Sequence, residues 1–151
     1  MFGSESFLDD RLAFWKDKTL TATGNSGIVN LQKVFGDSFA INQGKKRWTV
    51  LLDIASTDST NKDETYKFKL QTSKSSTIAK SVDLFEITVT RGENGVFELP
   101  IPITQEVHQY WRIVATLGGT TPSVKIIRAQ FVLHDNAFKY VMPKARSYGV
   151  G

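Results

Sequence analysis

Few residues in this sequence could perform catalysis. The 151 residues contain two histidines, His108 and His134, and no cysteine. A catalytic metal site needs several imidazole and carboxylate ligands that converge, and no HxH or HxxxH pair occurs. The sequence also lacks the GxSxG motif that would single out a serine nucleophile. We therefore expect no enzymatic activity, no resident metal ion and no cofactor.

Two other kinds of ligand site are equally hard to find. Neither of the glycine-rich phosphate-binding motifs, GxxxxGK[ST] and GxGxxG, occurs. The segment with Asp58, Asn61, Asp63 and Glu64 offers oxygen atoms that could bind calcium. Its spacing does not match an EF-hand, so an ordinary polar loop is the preferred interpretation.

The aromatic residues are better candidates for function than any polar cluster. Trp15, Phe138 and Tyr148 lie outside the clear strand patterns described below. Aromatic side chains are typical anchors of protein interfaces, although these could instead stack on glycans or fold back over a sheet. The candidate interface residues are Phe7, Leu8, Phe14, Trp15, Phe138, Tyr140, Lys144, Arg146 and Tyr148.

The elements that must position these residues have a period of two. Apolar and polar residues alternate in a way that predicts antiparallel strands with one face towards a core. Parity places Trp48 and Trp111 on the inward face. The predicted strands are 48–54, 66–70, 85–89, 97–103, 111–117 and 127–133, with two shorter strands near 19–23 and 27–31.

Turn residues and the last strands refine this prediction. Asn94-Gly95 predicts a hairpin between residues 85–90 and 96–101. In residues 124–133, Ile127, Ala129 and Phe131 share one face and Ile126 lies on the other, which predicts a strand covered on both sides by a terminal arm or another subunit. Eight strands favour an all-β, antiparallel two-sheet sandwich of the jelly-roll type, and an immunoglobulin-like sandwich would give a similar pattern.

Length and charge place the termini outside the sandwich. The expected division is an N-terminal arm at 1–18, one sandwich at 19–133 and a C-terminal arm at 134–151. Residues 1–124 contain 14 basic and 14 acidic residues, so the net charge of +4 comes from residues 125–151. A neutral body with a basic end argues against a nucleic-acid partner and suits either an arm that contacts a protein or a solvated tail. No apolar run predicts a membrane span or a secretory signal.

Several segments resemble, in order, the small jelly-roll cement (decoration) proteins of tailed-phage capsids. The opening Leu8-Asp9 with 12–14 is similar to the family's L-D-x-x-L-x-F, and 26–31 to its S-x-x-I-D-L strand. The family's aromatic-x-L-Q-T-S, L-P-x-P and Y-L-R-L segments are matched by 68–73, 99–102 and 110–113. The resemblance covers residues 8–133 and favours an extended conformation for 8–14. Asn30 departs from it, since the family often has an acid there, and residues 134–151 have no counterpart.

The resemblance implies a structural role on a virus particle. The fold would be a jelly roll with extended arms that assembles as a homotrimer. It would bind the major capsid protein on the outer surface of the shell, at three-fold and quasi-three-fold positions, after synthesis in a bacterial cytoplasm. It implies no catalytic residue, no cofactor, no nucleic-acid partner and no membrane. The alternatives are a glycan-binding jelly-roll module, another head or tail protein, and a cupin-like enzyme, which the histidine count disfavours.

Overall fold

The computed structural model describes residues 10–36, 48–101 and 108–133. After a 3-10 turn at Asp10–Leu12, these ranges form strands and one short helix, α1, at Leu31–Phe35. The strands are β1 (Ala13–Leu20), β2 (Gly24–Asn25), β3 (Val29–Asn30), β4 (Trp48–Thr57), β5 (Thr65–Ser73), β6 (Val82–Val89), β7 (Gly95–Pro100), β8 (Tyr110–Gly118) and β9 (Val124–Leu133).

The strands form two antiparallel sheets. The first sheet has the order β1-β9-β4-β7, and the second has the order β2-β8-β5-β6, with β3 also paired to β8. Apolar side chains from the inner faces of both sheets form one core. The prediction of an all-β, antiparallel two-sheet sandwich is therefore confirmed.

Aromatic rings fill the centre of this core, because large side chains bury the most surface. Trp111 is fully buried and packs edge-on against Phe131, with 5.2 Å between ring centroids. Phe131 also contacts Phe14 at 5.2 Å. The inward parity predicted for Trp111 is confirmed, and Trp48 packs against the core from a half-buried position.

A bulge in β9 changes which of its residues face the core. Asp53 of β4 pairs with Arg128, but the next residue, Ile54, pairs with Ile126, so Ile127 is an extra residue in β9. A bulge reverses the alternation of the strand beyond it. Ile126 therefore lies in the core together with Ala129, and the prediction that these two residues lie on opposite faces is wrong.

The hairpin predicted at Asn94-Gly95 is also wrong. β6 pairs with β5 and β7 pairs with β4, so this connection crosses from one sheet to the other. Thr57, at the end of β4, holds the connection in place. Its hydroxyl donates to the Glu93 carbonyl at 2.8 Å, and its own carbonyl accepts from the Gly92 amide at 3.2 Å. These bonds position the start of β7 so that Gly95 pairs with Ile54 on β4.

The sandwich begins earlier in the chain than expected. β1 pairs with β9 along its length, from Ala13 with Gln130 to Leu20 with Val124. Residues 13–18 therefore belong to the first sheet and not to an arm. The extended conformation expected for residues 8–14 is present at Ala13 and Phe14 but is wrong for Asp10–Leu12, which form the 3-10 turn, and residues 8 and 9 lie outside the described residues. The predicted arm at 134–151 lies outside the described residues.

Candidate functional site

Four of the five segments on which the family resemblance rests lie close together at one end of the second sheet, whereas Leu99 and Pro100 of the fifth lie on β7 of the first sheet. β8 lies between β3 and β5, so that Trp111 pairs with Val29 on one side and with Thr72 on the other. The Thr72 hydroxyl also donates to the Tyr110 carbonyl at 3.1 Å. Phe14 joins this group because its carbonyl accepts a bond from the Gly27 amide at 3.3 Å. We call the segments 12–14, 26–31, 68–73 and 110–113 the motif cluster.

Two hydroxyl groups complete the pairing of β8 where β2 and β3 are interrupted. The Ser26 hydroxyl accepts a bond from the Ile113 amide at 2.8 Å, and the Ser26 amide donates to the Ile113 carbonyl at 2.8 Å. At the other end of β2 the Thr23 hydroxyl makes both bonds, accepting from the Leu117 amide at 3.0 Å and donating to the Leu117 carbonyl at 3.2 Å. Side chains thus replace the backbone partners that an unbroken strand would supply.

Asn30 connects α1 to the start of β8. Its side-chain oxygen caps α1 by accepting from the Gln32 amide at 3.1 Å, and it accepts a second bond from the Gln109 side chain at 3.0 Å. The Leu31 amide donates to the Gln109 carbonyl at 3.0 Å. Aspartate is about as good an N-cap acceptor as asparagine, so an acid at this position could cap α1 in the same way.

The outer face of the second sheet carries a polar ladder. Arg112 donates to the Gln71 side chain at 2.9 Å, and Gln71 donates to Asp83 at 2.7 Å. The ammonium group of Lys69 lies 3.3 Å from the other oxygen of Asp83. The ladder crosses β8, β5 and β6 on this face of the sheet.

Exposed apolar surface is scarce in the described part of the chain. The large hydrophobic residues exposed there are Ile28, at 44%, and Phe85, at 38%, and Phe85 is the one aromatic residue of the two. Carbohydrate stacking would need aromatic rings on the surface, whereas Trp15 and Trp111 are buried. This arrangement does not favour the glycan-binding alternative.

The outer face of the first sheet is buried at its centre, on β4 and on the second half of β9. Successive residues of a strand point to opposite faces, so Gln130 and Val132 of β9 point away from Ala129 and Phe131. Val132 is nevertheless only 1% exposed. The outward residues of β4 are buried in the same way; they are Thr49, Leu51 and Asp53. The prediction that β9 is covered on both faces is therefore confirmed for its second half, whereas Lys125 near its start is exposed.

A small ion cluster lies where the 3-10 turn meets β1 and β9. The Asp10 carboxylate lies 2.8 Å from the Lys16 ammonium and 2.9 Å from the Arg128 guanidinium. Hydrogen bonds from Lys16 and then Arg128 lower the pKa of Asp10 below its ordinary value. Because Asp10 is open to solvent, this cluster fixes geometry and contributes little stability.

The structure places two of the nine candidate interface residues, and both lie in the core. Phe14 is 4% exposed and Trp15 is 6% exposed, because a register shift in β1 turns both consecutive side chains inward. Trp15 packs edge-on against Phe68 at 6.2 Å. Almost no surface of either residue remains for a partner, so their position does not support an interface role. Phe7, Leu8, Phe138, Tyr140, Lys144, Arg146 and Tyr148 lie outside the described residues.

The acidic loop considered for calcium is used within the chain. Asp63 accepts bonds from the Thr120 amide at 3.0 and 3.1 Å and from its hydroxyl at 2.8 Å. These bonds, the amide bond first, lower the pKa of Asp63. Glu64 accepts from the Asn61 amide at 2.9 Å. In the described ranges no group of three metal-ligating side chains occurs, and His134 lies outside them.

Comparisons with known proteins do not assign a family. No model of a known protein family matches the chain, and no curated protein matches it. Among residues 10–36, 48–101 and 108–133, no helix is long and apolar enough to cross a membrane.

Proposed function

We propose that this protein is a phage capsid cement protein. It would bind the outer surface of the major capsid protein shell as a homotrimer, at three-fold and quasi-three-fold positions, and stabilise the DNA-filled head without catalysis. Its place would be the virion, after synthesis in the bacterial cytoplasm. The observation that carries the proposal is the motif cluster: segments far apart in sequence resemble the family in order, and they are direct neighbours in the fold.

The strand order supports a jelly roll as the particular type of sandwich. With β2 and β3 counted as one interrupted strand, the first strand pairs with the last, β1 with β9, and the second with the one before the last. β4 then pairs with β7, and β5 with β6. This nested pairing is that of one long hairpin rolled into two sheets, which is how a jelly roll of eight strands is built.

A cement protein needs a rigid body and several linked contacts with the shell. The packed core of this fold supports the first requirement, a rigid body. The described core is continuous and aromatic, and its polar connections are hydrogen-bonded. In a trimer, the second and third contacts with the shell are intramolecular and gain avidity. Because the protein would bind the assembled shell and not its free subunits, its binding would stabilise the assembled shell by mass action.

The trimer is tested by the solution mass of the purified chain, measured by light scattering after size exclusion. We expect about 51 kDa, three times the 16.9 kDa of one chain. A mass of one chain at every concentration would contradict a stable trimer. A glycan array provides the parallel test, because specific glycan binding would favour the other interpretation of the fold.

The basic, aromatic end of the chain is tested separately. We propose that residues 134–151 act as an arm that contacts a neighbouring subunit or the shell. Deleting residues 138–151 should weaken attachment to shells while the thermal unfolding of the sandwich stays unchanged. Equal shell binding by the truncated and full-length chains would overturn the arm hypothesis.

A further inference from the structure

β6 forms a free edge of the second sheet. Among the described strands it pairs with β5 alone and is the last in the order β2-β8-β5-β6. The side of an edge strand that has no partner presents a row of unpaired N–H and C=O groups, which can pair with another extended chain. β6 runs over Val82–Val89, so it offers enough backbone for a further strand.

The other edges of the described sheets are better protected against such pairing. β1 carries the exposed lysines Lys16 and Lys18, β7 ends in Pro100, and β2 and β3 have two residues each. Lysine, proline and very short strands are the usual means of protecting an edge. A register shift interrupts β6 near its start, but the stretch 85–89 pairs regularly with β5 and contains neither lysine nor proline.

Apolar side chains line the open side of the sandwich next to this edge. Phe85 and Ile87 pair with Leu70 and Phe68, which are fully buried, so both side chains point towards the core. Phe85 is nevertheless 38% exposed, and Ile87 is half-buried. Phe97 of the contacting edge strand β7 is also half-buried against this core. The two sheets therefore leave an apolar strip between β6 and β7 that a further strand would cover.

The outer side of the same stretch is acidic. Glu86 alternates with Phe85 and Ile87, so it points outwards, where it is exposed. It forms no ion pair among the described residues, and its cross-strand neighbour Lys69 pairs instead with Asp83 at 3.3 Å. A strand that fits this edge needs apolar side chains on its inner face and a basic residue between them.

We infer that β6 receives a strand from the C-terminal segment of a second copy of this chain. Residues 138–142 have the sequence Phe-Lys-Tyr-Val-Met, which places a basic residue between two aromatic residues. Residues 1–9 and 102–107 contain acids and no lysine or arginine, and the basic residues of 37–47 follow one another at its end. Of the segments outside the described ranges, 138–142 is therefore the one whose pattern complements the edge.

The two strands fit in one antiparallel register. With Lys139 opposite Glu86, the opposite charges lie side by side on the outer face. The two aromatic residues that flank Lys139 then come opposite Phe85 and Ile87 and cover the apolar strip. Pro143, which cannot donate to a strand ladder, ends the added strand directly after this segment.

The added strand must come from a second copy, because a chain cannot reach its own β6. β9 ends at Leu133, so Lys139 follows six residues later and lies at most about 20 Å away. The route from β9 over the end of the sandwich to a strand beside β6 covers about 18 Å, from three strand spacings and one spacing between sheets. Reaching the level of Glu86 adds about 13 Å along the sheet, since Glu86 is in line with Val114, four residues into β8 from Tyr110.

The contact is head-to-tail, because one surface gives the strand and a different surface receives it. Head-to-tail contacts close into rings when the rotation between copies allows it. The inference thus rests on the proposed homotrimer and names the contact that holds its three copies together.

Disulfide trapping tests the pairing directly, since the chain has no cysteine. The full-length variant Glu86→Cys/Lys139→Cys is oxidised and run on a non-reducing gel. Opposed residues of neighbouring strands lie close enough for a disulfide, so we expect a covalent trimer. The matched control is Lys18→Cys/Lys139→Cys, which should stay unlinked because Lys18 lies on β1, at the edge of the other sheet.

A disulfide within one chain, an equal yield in the control, or no disulfide at all would each overturn the inference. A covalent dimer would support the strand contact and contradict the trimer.

Charge exchange tests whether Glu86 and Lys139 recognise each other. Glu86→Lys and Lys139→Glu should each raise the concentration of half-dissociation about tenfold in light scattering, because like charges then lie opposite each other. The combined variant restores opposite charges and should return to within about twofold of the original chain. A combined variant that dissociates as readily as the single variants would contradict the pairing. Full shell binding by a variant that has lost the oligomer would overturn the role of this contact and leave the cement function standing.

Discussion

Replacing Ser26 by alanine should destabilise the sandwich more than a surface change of the same chemistry. The Ser26 hydroxyl is the acceptor for the Ile113 amide at 2.8 Å, in the buried middle of β8. In Ser26→Ala the buried Ile113 amide has no acceptor, and water cannot reach it. An unsatisfied buried donor of this kind lowers the free energy of unfolding by about 1 to 3 kcal/mol. Taking about 2 kcal/mol, we expect the melting temperature to fall by about 4 to 8 °C for a chain of this length.

Thr23→Ala is the control that shows whether access of water to the unpaired amide reduces the loss of stability. The Thr23 hydroxyl makes both of its bonds to Leu117, so Thr23→Ala removes two bonds where Ser26→Ala removes one from Ile113, but Thr23 is exposed. Water can replace the lost hydroxyl there, so the free energy of unfolding should fall by less than about 1 kcal/mol. Urea unfolding measures both variants, and amide exchange should speed up at Ile113 in Ser26→Ala. Equal losses in the two variants would refute the explanation.

Three further changes test other parts of the structure. Asn30→Ala should lower the free energy of unfolding by about 1 kcal/mol by removing the cap of α1, whereas Asn30→Asp should change it by a few tenths in urea unfolding. Gly36→Ala should cost about 1 to 3 kcal/mol, because φ 64° with ψ −142° is a conformation that almost only glycine adopts. Gly119→Ala should cost about 3 kcal/mol in a thermal melt, because in addition to its positive φ its Cβ would clash with the Asp63 carbonyl oxygen. Burial raises the pKa of Tyr66 above its ordinary 10.0. The neutral phenol therefore stabilises the fold fully below about pH 10, and this stabilisation is lost as the pH rises further. A pH series of thermal melts should show that loss in the original chain and not in Tyr66→Phe.

The sequence predicts the sheet interior best where alternation is uninterrupted. Tyr66, Phe68 and Leu70 of β5 are all fully buried, as their spacing indicates. The prediction fails at register shifts. The extra residue Ile127 in β9 and the shift near Phe14 in β1 reverse the alternation, and pattern alone does not reveal them.

Long-range contacts explain the other differences. Asn94-Gly95 has the chemistry of a hairpin turn, but the bonds between its loop and Thr57, far away in sequence, direct β7 to the other sheet. Phe85 and Phe97 flank one apolar strip only because β6 and β7 are the last strands of their sheets. No local motif marks such a meeting, so the sequence predicts the strands and not the strip between them.

Binding to shells is the measurement that tests the proposed function most directly. If the proposed cement function is right, the partner is the expanded, DNA-free shell of a tailed phage, and such shells are sedimented with increasing amounts of the purified protein. We expect saturable binding at three copies for each occupied three-fold position, together with a higher temperature of shell disassembly. Protein that stays in the supernatant at every concentration, with shells no more stable than before, would contradict a cement function.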